Sequence, residues 1–201
     1  MISGMITVFP KFGKETYIES KTKQQYRHLP CVTHDGLNIH ITVTEELYKQ
    51  HIEVINSNDW GEETAFRVWG EVKSVNEITD GYGLSNLYIR VDRMELETGM
   101  PVNVFSLNGH GTKTSESHDG FNLHWIAANK NILNQEEKKN KPAYCYLKTK
   151  NNVIYEDKDI IQGNVKLISI DGTILLESIH TTHYTACRKL VKFFLPQEQA
   201  S

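Results

Sequence analysis

Leu37-Asn-Ile-His-Ile-Thr-Val-Thr44 decides how the rest of the chain is read. Side chains along a β-strand alternate between its two faces, so Ile39, Ile41 and Val43 share one side while Asn38, His40, Thr42 and Thr44 share the other. The pattern predicts a half-buried strand whose polar face carries a histidine and a threonine two residues apart. A second such pair, His110-Gly111-Thr112, follows 110 − 40 = 70 positions later. The nine histidines supply two more His-x-Thr triplets, at His180 and His183.

Outward from that strand, Thr44 with Glu45 and Glu46 has the chemistry of a helix start: a hydroxyl cap followed by negative charge at the positive end of the helix dipole. Leu47, Tyr48, Ile52 and Ile55 continue it as an apolar stripe, and Asn56-Ser57-Asn58 ends it. Residues 65–72 alternate again, Asp80-Gly81-Tyr82-Gly83 is a turn, and Leu87, Ile89 and Val91 line one face of the next strand, which predicts an antiparallel pair. Val102 to Leu107 is a further strand that delivers His110 and Thr112 just past its end. Before the opening strand, Met5 to Pro10 reads as a short strand. Lys11 to Leu29 mixes Lys11, Lys14, Lys21, Lys23 and Arg27 with Tyr17 and Tyr26, a mixture suited to phosphates and bases but also to a solvated loop. Trp125 to Ala128 fits buried helix or buried strand. Residues 134–141 form a charged connection closed by Pro142, and strands follow at 143–147, 160–170 and 173–179. Asp171-Gly172, a preferred hairpin pair, joins the last two. Cys187 to Phe194 reads as a short terminal helix.

Bulk composition narrows the function classes. In 201 residues, 39% hydrophobic and 23% charged, the chain is an ordinary globular one. Its net charge of -3 argues against a grip on duplex DNA through the phosphates alone. Cys31, Cys145 and Cys187 are an odd, irregularly spaced set that fits neither a disulfide framework nor a zinc site, so a reducing cytoplasm is the expected compartment. No stretch has the length of a membrane span. Histidines 118, 124, 180 and 183 lack cysteine or carboxylate partners at metal-binding spacing. Trp60, Trp69 and Trp125 read as core or half-buried packing residues.

The order of His40-Ile41-Thr42-Val43 strand, helix, strand pair, third strand and His110-Gly111-Thr112-Lys113 resembles the two-histidine (LigT-like) cyclic phosphodiesterase superfamily over about Leu37 to Thr114. The resemblance implies an α+β fold: a β-rich, two-lobed phosphoesterase-like core over residues 1–133, with a β-rich C-terminal extension over 142–201 that covers the groove, contacts a partner or belongs to the same domain. It also implies a hydrolase acting without metal or other cofactor on a cyclic nucleotide, a cyclic oligonucleotide or an RNA 2',3'-cyclic phosphate end. His40 and His110 would share the acid and base roles, for which an imidazole that titrates near neutrality is suited. Thr42 and Thr112 would hold the non-bridging phosphate oxygens.

Two other classes fit the same residues. Strands punctuated by glycine turns suit an OB-like barrel that binds single-stranded nucleic acid without chemistry, with Tyr17, Tyr26, Trp69 and Tyr82 as stacking surfaces. A viral structural or assembly protein is the third.

Overall fold

The computed structural model describes residues 1–19, 22–61, 63–79, 82–128, 143–150, 153, 155 and 159–179. The opening stretch forms strand β4 (Asn38–Thr44), preceded by β1 (Ile2–Pro10), β2 (Thr16–Ile18) and β3 (Gln25–Thr33). Helix α1 (Glu45–Asn58) follows at once, as its capping chemistry requires: the Thr44 hydroxyl accepts from the Leu47 N–H at 3.1 Å. Tyr48 and Ile55 are the buried apolar positions of this helix. The guanidinium of Arg27 lies 4.1 Å from the Tyr48 ring centre and pairs with Glu45 at 2.9 Å, which ties the helix to β3.

Strands β5 (Phe66–Thr79) and β6 (Tyr82–Leu96) make the expected antiparallel pair. The pairings then close a circuit: β1 with β3, β3 with β4, β4 with β6 in parallel, β6 with β5, and β5 back to β1. Inward-facing Ile6, Val8, Leu29, Ile41, Val43 and Phe66 are all but fully buried. Removing such side chains from water is the main stabilising contribution, about 1.5–3 kcal/mol for each.

The remaining strands repeat the circuit. They are β7 (Asn103–His118), β8 (Phe121–Ala128), β9 (Ala143–Lys150), β10 (Ile160–Ile170) and β11 (Thr173–Ser178). β7 pairs with β8, β8 with β9, β9 with β11 in parallel, β11 with β10, and β10 with β7. Asp171 and Gly172 turn the last hairpin with φ of 49° and 80°, the left-handed pair that this tight turn demands. In both circuits the spatial order is first, second, third, fifth, fourth and back to first. That is the topology of an OB-like barrel, and the chain contains it twice.

The two barrels share one continuous sheet. The beginning of β1 pairs antiparallel with the beginning of β7, Ile2 opposite Leu107 and Ile6 opposite Asn103. Further along, β1 turns to β3 at Val8 to Pro10, and β7 turns to β8 from His110 onward. Gly4 sits at this junction because nothing larger fits: a Cβ there would lie 2.2 Å from the Val104 carbonyl oxygen and 2.6 Å from the Phe105 Cα. A second tie crosses between the barrels where the Tyr144 N–H of β9 donates to the Ser74 hydroxyl of β5 at 3.1 Å.

The fold corrects the α+β, two-lobed phosphoesterase-like expectation. The order strand, helix, hairpin, strand was read accurately, but alternation along each strand does not say which strands close on one another. The β1–β5 and β7–β10 pairings, which make barrels of both halves, join segments far apart in sequence. The expected boundary between residues 133 and 142 lies outside the described residues, and β8 and β9 on its two sides pair in register from Phe121 opposite Lys150 to Ala128 opposite Ala143. The expected helix at 187–194 also lies outside the described residues. Among these, no helix is long and apolar enough to cross a membrane.

Candidate functional site

On the first barrel, the outward side chains of β2, β3, β4 and β6 gather into a patch of rings. Strand register places Tyr17 opposite Tyr26, His28 opposite Thr42, Thr42 opposite Arg90, and His40 between Pro30 and Tyr88. Tyr17 and Tyr26 stack with ring centres 5.2 Å apart, Tyr17 meets His28 at 5.0 Å, and His28 meets Tyr88 edge-on at 6.1 Å. Arg90 lies over Tyr26, 4.9 Å from the ring centre, donates to its hydroxyl at 2.5 Å, and reaches Glu19 at 3.3 Å. Burial first, then the neighbouring Tyr88, pushes the Tyr17 phenol up to about 12. It therefore stays a neutral donor at physiological pH. Burial also lowers the pKa of His28, with Glu15 opposing the shift and nearby His40 adding to it.

The second barrel presents the equivalent face on β8 and β9. Trp125 lies parallel to Tyr144 with centres 6.0 Å apart and meets Tyr146, its cross-strand neighbour, at 4.9 Å. Farther along, His118 stacks on Phe121 at 4.8 Å, and the Lys148 ammonium stands 5.0 Å from the Phe121 ring centre. Lys150, opposite Phe121, is exposed. Both faces thus combine half-buried rings, and on the first barrel the buried Tyr26, with cations at their margins. The thiols Cys31 and Cys145 face the cores instead, and burial raises both pKa values, that of Cys145 to about 12. Neither thiol carries the thiolate character that reactivity requires.

His40 and His110 lie on different barrels. His40 is exposed, and Thr42 is fully buried, sharing a 3.0 Å hydrogen bond with His28 Nδ1. His110 lies between Ala127 of β8 and Ile160 of β10, and Thr112 donates to the Trp125 carbonyl at 2.9 Å. Each motif residue has neighbours from its own barrel. His180 and His183 lie outside the described residues, as does the side chain of Tyr82.

Among solved structures, the wild-type single-stranded DNA binding protein from Thermus aquaticus matches with a TM-score of 0.60, over 90% of this chain and 91% of that one, at 9% identity. A deletion mutant of the same protein gives 0.59 over 89% and 92%, also at 9% identity. The likeness is one of fold. The Ifi202 HINa domain in complex with a 20-bp double-stranded DNA matches at a TM-score of only 0.28, too low to bear on the argument. No protein-family model and no curated protein matches the chain.

The likeness to the Thermus aquaticus protein, together with the two closed barrels, overturns the resemblance to the two-histidine phosphoesterases, and with it the expected hydrolase and phosphodiesterase activity. The physical reason is that the two motifs stand on different barrels, His40 on β4 and His110 on β7. A His-x-Thr pair on an alternating strand reports only that the strand has a polar outer face, which every OB-like barrel possesses. Sequence reasoning found Tyr17 and Tyr26 but missed His28, Tyr88 and Arg90, and it assigned Trp125 to packing. The missed signal was alternation at 143–147, where Tyr144 and Tyr146 fall opposite Cys145 and Leu147. Trp60, also read as packing, is 88% exposed.

Proposed function

We propose that the protein binds single-stranded nucleic acid, without cleaving it, across the second and third strands of both barrels. The observation that carries this reading is the duplication: two OB-like barrels of unlike sequence each gather aromatic rings and a cation on the outer face around the second and third strands, from β2, β3 and β6 on the first barrel and from β8 and β9 on the second. In this fold that face is the one suited to oligonucleotides, and every base offers a π-face to an aromatic platform. The overall acidity of the chain is offset locally by exposed Lys150 on the second face, while Arg90 and Lys148 are paired with Glu19 and Glu177. The Thermus aquaticus protein of the same fold, named for binding single-stranded DNA, supports the same reading.

The test is anisotropy of a fluorescent single-stranded 20-mer against its duplex form. Binding is expected to favour the single strand and to fall with salt, with a log-log slope of about −0.7 for each phosphate neutralised. Trp125→Ala is expected to weaken it roughly 5- to 150-fold, the equivalent of about 1–3 kcal/mol per stacked base. Melting curves check that the variant stays folded. Equal affinity for duplex and single strand, or indifference to both Trp125→Ala and Tyr17→Ala, would overturn the reading.

A further inference from the structure

A cavity of about 220 Å³ opens at one end of the second barrel, where the β7–β8 turn meets the ends of β9 and β11. Gly120, Phe121, Lys148, Lys150, Glu177 and Ile179 line it. It is smaller than the pockets that hold drug-sized ligands, about 300–1,000 Å³, and so suits one base rather than a whole nucleotide. Phe121 and Ile179 supply apolar walls. Glu177 supplies the chemistry: its Oε1 accepts from Lys148 Nζ at 2.8 Å and its Oε2 from Lys166 Nζ at 2.9 Å, so the carboxylate is held from both sides. Burial acts to raise its pKa, but the hydrogen bonds from Lys148 and Lys166 prevail and keep it low, hence ionised.

An ionised carboxylate only accepts, and each of its oxygens has lone pairs beyond the one a lysine takes. The lining therefore presents two acceptors, the Glu177 oxygens, beside one donor, the Lys148 ammonium. Along the Watson–Crick edges of the bases, guanine alone offers the complement: N2–H and N1–H as donors, then O6 as acceptor. Thymine puts two carbonyls around one N–H, and cytosine and adenine follow a single amino group with an acceptor, which a carboxylate repels. Edges of this kind are readable once a base is unstacked from its neighbours.

We propose that this cavity is a guanine-reading subsite, with Glu177 and Lys148 on the base edge, Phe121 beside the ring and Lys150 toward the phosphate. The inference rests on the strand-binding reading above and adds a base preference to it.

The experiment compares three 20-mers in lithium buffer: oligo(dT), alternating thymine and guanine, and alternating thymine and inosine, which lacks the 2-amino group. Wild-type protein is expected to bind the guanine repeat about fivefold or more tightly than oligo(dT), the scale of a two-point edge contact. Inosine is expected to return the ratio to within about twofold of one, and so is Glu177→Gln, which puts an amide N–H against a base donor. Failure to bind any of the three oligonucleotides would overturn strand binding itself. Binding of all three with a ratio near one would overturn the guanine subsite alone. A guanine preference that survives both inosine and Glu177→Gln would overturn it as well, because the reading would then occur elsewhere. Inosine keeps the test intact should the variant fold poorly.

Discussion

Gly4→Ala tests the junction between the barrels with the smallest change available. Its added Cβ would meet the Val104 carbonyl oxygen at 2.2 Å and the Phe105 Cα at 2.6 Å. Since Cβ atoms do not come within 3.0 Å of such atoms, β1 and β7 must part by at least 3.0 − 2.2 = 0.8 Å. Both obstacles are backbone, so no side chain can rotate away. The two strands also carry ladder bonds to β5 and β10 on their other sides, which spreads the displacement into both barrels. Overpacking usually costs about 1–3 kcal/mol, and a backbone clash of this size belongs at or above the upper end. For a chain of this length about 3 kcal/mol lowers the melting midpoint by roughly 6–12 °C. Circular dichroism melting of Gly4→Ala beside Ser3→Ala, one residue away, measures it. A midpoint for Gly4→Ala within about 2 °C of wild type would refute the account of the junction.

His124 is buried in the second barrel, bonded through Nε2 to Thr149 Oγ1 at 2.9 Å and edge-on to Tyr155, and burial lowers its pKa. The unfolded chain takes up this proton near pH 6.5 while the folded chain still refuses it, so stability is intact above that pH and lost as pH falls below it. Melting midpoints should therefore drop between pH 7.5 and 5.5, and the drop should shrink in His124→Gln; an equal drop in both proteins would remove His124 as the cause. Lys150→Ala should weaken single-strand binding and make the salt slope shallower by about 0.7, the share of one phosphate contact. An unchanged slope would place the strand away from β9.

Local structure was largely legible in the sequence, while closure was not. Ile39, Ile41 and Val43 announce β4, Thr44 with two glutamates announces α1, and Asp171-Gly172 announces the final hairpin, because each is set by neighbours in the chain. The duplication left no repeat to read. A barrel interior needs only apolar alternation, so Leu29 and Cys31 in the second strand of one barrel correspond to His124 and Ile126 in the other without likeness. His124 also breaks the pattern, since it is a core residue satisfied by a threonine on the adjacent strand. The candidate site was half legible for a related reason. Tyr17 and Tyr26 lie in a basic stretch that drew notice, whereas Tyr88 and Arg90 join them only through the parallel β4–β6 pairing, which no local pattern encodes.

The pairing of β1 with β7 has a consequence for any attempt to divide the protein. Cut between Leu96 and Asn103, each half would expose a run of bare ladder groups, Ile2 to Ile6 on one and Asn103 to Leu107 on the other. An open edge of that kind is a template for any other strand. The existing contact joins like strands antiparallel, so a second copy of the same half could take the missing place through an isologous two-fold contact. The intact chain is in this sense a dimer already closed on itself, and its covalent connection is what keeps the edge from recruiting strangers.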